Sequence, residues 1–153
     1  MARHPDRVDA LRVLVRLARL LERSSGELSL AHYRVLSAVA AGDAQASRVA
    51  ARLALAKPTI SASVDTLCRR GLLVREEIPT DQRAASLRIT PDGERLLAEV
   101  EAAMLARLDE VLDRASDPQA AAAAIAGLAG ALDEISETRL ASRLAAAKRT
   151  TAP

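Results

Sequence analysis

The segment from Lys57 to Thr90 restricts what this chain can fold into more than any other. It opens K-P-T-I-S-A-S-V-D-T-L-C-R-R-G (Lys57 to Gly71), with Ile60, Val64 and Leu67 recurring at helical spacing. Pro58 stands at or near the first turn of this helix, where its missing N–H costs nothing, and Gly71 stands where a left-handed cap ends a helix. L-L-V-R-E-E-I follows (Leu72 to Ile78), then the polar P-T-D-Q-R-A-A-S (Pro79 to Ser86), then L-R-I-T (Leu87 to Thr90). Helix, strand, polar loop and strand in that order make a β-hairpin hung on a helix.

The residues upstream extend the unit. Leu30, Tyr33, Leu36, Val39 and Ala40 predict a helix over about 29–41, stopped by Gly42 and Asp43. Val49, Ala50 and Leu53 give a short helix over about 45–53, with Leu55 in the turn that follows. The helix over about 45–53 and the one opening at Lys57, joined by three to four residues, make a helix-turn-helix, and the hairpin beside it is a wing.

The two ends of the chain are helical as well. Val8, Leu11, Val15, Ala18 and Leu21 form an apolar stripe over 6–23 opposite Arg12, Arg16, Arg19 and Arg23, and Ser24-Ser25-Gly26 ends it. Asp6, Asp9 and this regular stripe mark a structural helix rather than an Arg-rich transit peptide. Thr90-Pro91-Asp92 opens a long helix to about Arg114, and Asp117-Pro118 opens a final one to about Ala147. The expected fold class is mainly α with a small β-hairpin wing: a winged helix-turn-helix plus an N- and C-terminal helical dimerisation module. The expected division is 1–27 for the N-terminal dimerisation helix, 28–90 for the winged unit, 91–147 for the C-terminal dimerisation module and 148–153 for a frayed tail. The end helices carry more apolar surface than one winged unit can cover, so a second copy is the expected partner.

Composition agrees. Half of the 153 residues are apolar, yet there is no Phe or Trp and one Tyr, so the core must be Leu, Val, Ile and Ala. No apolar run approaches the ~18 residues that span a bilayer, so no membrane partner is expected. One Cys excludes an intramolecular disulfide and fits a cytoplasmic location. Charge is unevenly placed: residues 45–90 carry 8 basic and 4 acidic side chains, and residues 91–142 carry 4 basic and 11 acidic. A basic middle beside an acidic helical stretch is the footprint of a polyanion-binding unit.

Several fragments, in order and at the right spacing, resemble the MarR family of winged-helix regulators. L-A-H-Y-R-V-L (Leu30 to Leu36) is similar to the family's L-x-x-Q-[FWY]-x-V-L, with His32 where glutamine is common. V-A-A-R-L (Val49 to Leu53) matches L-A-x-x-L, and K-P-T-I-S (Lys57 to Ser61) matches the family's helix start. R-R-G-L-L-V-R (Arg69 to Arg75), D-Q-R (Asp81 to Arg83) and L-R-I-T-P-D-G (Leu87 to Gly93) complete the pattern. The resemblance implies a homodimer that represses, or less often activates, transcription at a pseudo-palindromic operator. It also implies a small, often phenolic effector bound between the helical module and the winged domain. Two departures stand out: Ala62 where members often carry arginine, and Ser63 where leucine is common.

Counting about 100° per residue from an inward Ile60, Pro58, Ala62, Asp65 and Arg69 point outward, with Thr59 and Ser61 on the flanks. Only the N-terminal half of a recognition helix reaches base edges, so Lys57, Ser61 and Ala62 are the base-reading candidates, with Thr59 reaching phosphate. Ser47, Arg48, Arg69, Arg75 and Arg88 are phosphate candidates. In the wing, Arg83 is the minor-groove candidate and Asp81 its orienting partner. His32 and Tyr33 are either effector contacts or, respectively, a surface histidine and a packed core tyrosine. Cys68, near the inner side of the recognition helix, reads as a structural thiol. Two histidines, one cysteine and no glycine-rich phosphate loop assemble neither a metal site nor a nucleophile, so no enzyme and no cofactor is expected. The alternative function is a non-DNA-binding helical dimer of the same fold, acting as a ligand-sequestering protein or anti-repressor.

Overall fold

The computed structural model describes the backbone of residues 5–53, 55–78 and 81–150, and the side chains of 6–53, 55–56, 58–76, 86–139 and 141–142. The element order is α1 (Pro5–Ser24), α2 (Leu30–Ala40), α3 (Ala46–Arg52), α4 (Lys57–Arg69), β1 (Leu73–Ile78), β2 (Asp81–Ile89), α5 (Pro91–Leu112), α6 (Pro118–Ala126) and α7 (Ala129–Thr150).

The boundaries follow local chemistry. Ser29, Thr90 and Asp117 cap α2, α5 and α6, their side chains accepting from the backbone N–H of His32, Gly93 and Ala120. At the end of α4, Gly71 takes φ +70°. The Gly71 N–H then donates to the Cys68 carbonyl and the Leu72 N–H to the Leu67 carbonyl, both at 2.9 Å. This is a Schellman closure, and the accompanying contact is made by Leu67 and Leu72, both buried.

Beneath the winged unit lies one aliphatic core. Val35, Leu36 and Val39 of α2, Val49 of α3, and Ile60, Val64 and Leu67 of α4 meet Leu73, Leu87, Leu97 and Val100. The α4 stripe is the one the periodicity predicts. In α2 the buried face is rotated slightly: Val35 and Ala38 are buried, Leu30 and Tyr33 are half-buried, and Ala40 is exposed.

Two expectations need correction. The second strand does not wait for Leu87 but starts at Asp81, because β1 recruits backbone partners along its whole length, from Leu73↔Ile89 to Ile78↔Asp81 with a bulge after Glu77. Ladder hydrogen bonds come from the main chain, so the polar stretch pairs despite lacking apolar alternation. The other correction concerns the last helix, which is broken in two. Gly127 caps α6, and Leu128 N–H reaches back only three residues to the Ile125 carbonyl before α7 resumes. The chain before α3 also adds to the wing, with Gln45 bridging Ser86 and the Leu87 N–H donating to the Ala44 carbonyl.

Thr90 ties the wing to α5. Its hydroxyl donates to the Gly71 carbonyl at 2.6 Å and accepts from the Gly93 N–H at 3.0 Å. Gly93 is obligatory at this joint: a Cβ there would lie 2.3 Å from the Leu72 carbonyl oxygen and 2.8 Å from Ile89 Cγ1.

Candidate nucleic-acid interface

The outer face of α4 is bare. Thr59, Ser61 and Ala62 are exposed at its N-terminal end, while Ile60 and Val64 on the opposite face are buried. Ser63 is also buried, so the loss of leucine there concerns packing rather than the outward face. From α3, Ser47 and Arg48 are exposed beside α4. Arg69 is exposed, its guanidinium donating to the Thr66 hydroxyl at 3.0 Å. Lys57, Asp81 and Arg83 have backbone in α4 and β2, but their side chains lie outside the described residues.

Two phosphate candidates are already engaged. Arg75 on β1 lies 2.5 Å from Asp65 of α4, and Arg88 on β2 lies 2.6 Å from Glu76 across the hairpin. Both pairs are about half-exposed. Solvated pairs of this kind contribute ~0–1 kcal/mol, so the arginines are held in place without being withdrawn from a stronger anion. Sequence distance hid both partners, since Asp65 and Arg75 meet only after the Gly71 turn reverses the chain.

A second site lies between α1, α2 and α5. Leu21, Tyr33, Glu101, Met104, Leu105 and Leu108 line a cleft of about 280 Å³. The Tyr33 hydroxyl donates to Glu101 Oε1 at 3.4 Å. Burial first, then the adjacent Glu101 charge and the hydrogen bond to it, push the Tyr33 phenol above its ordinary pKa, partly offset by Ser37. His32 is half-buried and is not among the residues lining this cleft. Sequence reading missed Glu101. Its signal is positional: Leu97, Glu101, Met104 and Leu108 share one face of α5, so a carboxylate interrupts an otherwise apolar stripe.

A family model described as the MarR family matches residues 26–84, the segment that holds α2 to the wing. The transcriptional repressor CouR bound to a 23-mer DNA duplex is 25% identical, with 80% of this chain and 88% of that one aligned at a TM-score of 0.71. Residues 26–84 match the MarR family, and the chain shares that family's winged-helix fold. Two further structures place the MarR fold across most of its length. The PcaV transcriptional regulator from Streptomyces coelicolor, solved in complex with its natural ligand, is 28% identical over 85% of this chain and 97% of that one, with a TM-score of 0.63. The MarR family transcription regulator SP03579 is 22% identical over 96% of this chain and 93% of that one, with a TM-score of 0.68, and shows the fold. No curated protein sequence matches the chain. MarR proteins are transcription regulators rather than enzymes, and the DNA-binding winged helix is the part this chain shares most clearly with them. Among the described residues, no helix is long and apolar enough to cross a membrane.

Proposed function

We propose that this chain is a MarR-family regulator, a cytoplasmic homodimeric repressor that binds double-stranded DNA at a pseudo-palindromic operator and is released by a small aromatic effector. The observation that carries the reading is the bare N-terminal end of α4, where Thr59, Ser61 and Ala62 are exposed on a helix whose other face is locked into the core. In this reading residues 28–90 read DNA, with Lys57, Ser61 and Ala62 at base edges, Thr59, Ser47, Arg48, Arg69, Arg75 and Arg88 at phosphates, and Arg83 with Asp81 at the minor groove. Residues 1–27 and 91–147 hold the two copies together. Leu11, Val13, Leu14 and Val15 of α1, Val111 of α5, Ile125 of α6, Leu128 between α6 and α7, and Leu132 and Ile135 of α7 are all exposed large apolar side chains, which supports a second copy covering them. CouR, a repressor bound to DNA, and PcaV, a regulator bound to its ligand, support the operator and effector parts by likeness. Tyr33 belongs to the effector cleft, with His32 beside it on α2.

Selection of bound duplexes from random DNA, followed by titration of the enriched site at two salt concentrations, tests this. A palindromic repeat with half-sites about 10 bp apart is expected, with a ~10³–10⁵-fold loss of affinity between 50 and 200 mM salt. Absence of enrichment together with salt-insensitive binding would instead support a sequestering protein.

A further inference from the structure

The effector cleft has a charge character that narrows what it can hold. Four of its six lining residues, Leu21, Met104, Leu105 and Leu108, are apolar. The polar groups are the Tyr33 phenol and the Glu101 carboxylate, and the phenol already donates to the carboxylate. Among the described residues of the single chain, no basic side chain lines the cleft, although the chain holds 22 lysines and arginines. A carboxylate offers acceptors only, so the polar end of an occupant must donate, and it gains if it is positively charged. The tyrosine ring beside it favours a cation for the same electrostatic reason. An anionic occupant would meet Glu101 with no compensating guanidinium or ammonium in the lining. The apolar walls and a volume of about 280 Å³ suit a body of one ring.

We propose that the cleft takes a small amphipathic cation, a single apolar ring bearing an ammonium or amidinium group, with Glu101 as its counter-ion. This rests on the effector reading of the cleft and adds the charge class to it.

Three probes share a para-alkylphenol body and differ in charge: tyramine (cation), 4-ethylphenol (neutral) and 3-(4-hydroxyphenyl)propionate (anion). Each is titrated calorimetrically into the full-length protein and into Glu101→Gln, whose fold is checked by circular dichroism. Tyramine is expected to bind at least about tenfold more tightly than the propionate, with 4-ethylphenol between them. Glu101→Gln is expected to weaken tyramine about tenfold while leaving 4-ethylphenol within about twofold. If the propionate binds as tightly as tyramine, or if Glu101→Gln leaves tyramine affinity unchanged, the charge class is overturned while the effector site stands. If none of the three binds, the effector site and its charge class are overturned together.

Discussion

Arg75 reaches from β1 to within 2.5 Å of Asp65 on α4. The pair joins the wing base to α4 and places a carboxylate beside a guanidinium proposed to contact phosphate. Asp65→Asn is therefore expected to free Arg75 for DNA. Affinity for random duplex should rise, and the salt dependence should steepen by about 0.9 in log–log slope, the value for one added phosphate contact. Thermal stability should change by less than about 1 kcal/mol. Fluorescence anisotropy across a salt series reads the slope.

Arg83 should behave as a DNA contact and not as a structural one. Arg83→Ala is expected to weaken operator binding by about 1–3 kcal/mol while the melting temperature stays within a degree or two. A gel shift with the selected operator, beside a thermal melt, separates the two effects.

Gly93 tests the joint between wing and α5. Gly93→Ala drives a methyl group into the Leu72 carbonyl, a backbone atom that cannot rotate away. A loss of about 1–3 kcal/mol in urea unfolding is expected, comparable to other overpacking substitutions. At Gly71 the obstacle differs: nothing crowds its Cβ, and the cost of Gly71→Ala comes from φ +70° alone.

The exposed apolar stripes predict an association-dependent protein. Leu132 is 61% exposed in the single chain, and Leu132→Glu would enter a symmetric interface twice. Losing the burial of two leucines costs about 3–6 kcal/mol, enough to shift the sedimentation profile to monomer at micromolar concentration. Operator affinity should fall with it.

Cys68 should be slow to react. Burial, with a further push from Asp65 that Arg75 opposes, raises its thiol above the ordinary value. The neutral thiol is favoured in the fold, so as pH climbs through about 8.5 the unfolded chain ionises first and the native state loses a little stability. At pH 8 a thiol-specific disulfide reagent should label the native protein more slowly than the urea-unfolded chain, and Cys68→Ser should leave operator binding unchanged.

Much of the winged unit was legible because it is written in local chemistry. Ile60, Val64 and Leu67 repeat at helical spacing, Gly71 supplies the left-handed backbone that closes α4, and Thr90 and Asp117 announce the helices they cap. The features that escaped are the ones made by distant residues. Strand pairing extended β2 through Asp81–Ser86 without any apolar alternation to announce it. The Asp65–Arg75 and Glu76–Arg88 pairs exist only once the hairpin folds back. In sequence Glu101 is one acid among many on an acidic helix, and only the fold sets Tyr33 against it. The side chains of Lys57, Asp81 and Arg83 lie outside the described residues, so their roles rest on motif and position.

The clearance at Gly93 has a mechanical consequence. Glu101 lies eight residues further along the same uninterrupted helix, roughly 12 Å at 1.5 Å per residue. Because α5 touches the Leu72 backbone with no room for even a methyl group, the hairpin base is the expected fulcrum of any tilt of the helix. A tilt of about five degrees about that point would displace the Tyr33 end by about 1 Å. If the cleft takes an effector as proposed, a joint built this way has no slack to absorb small motions and would transmit them.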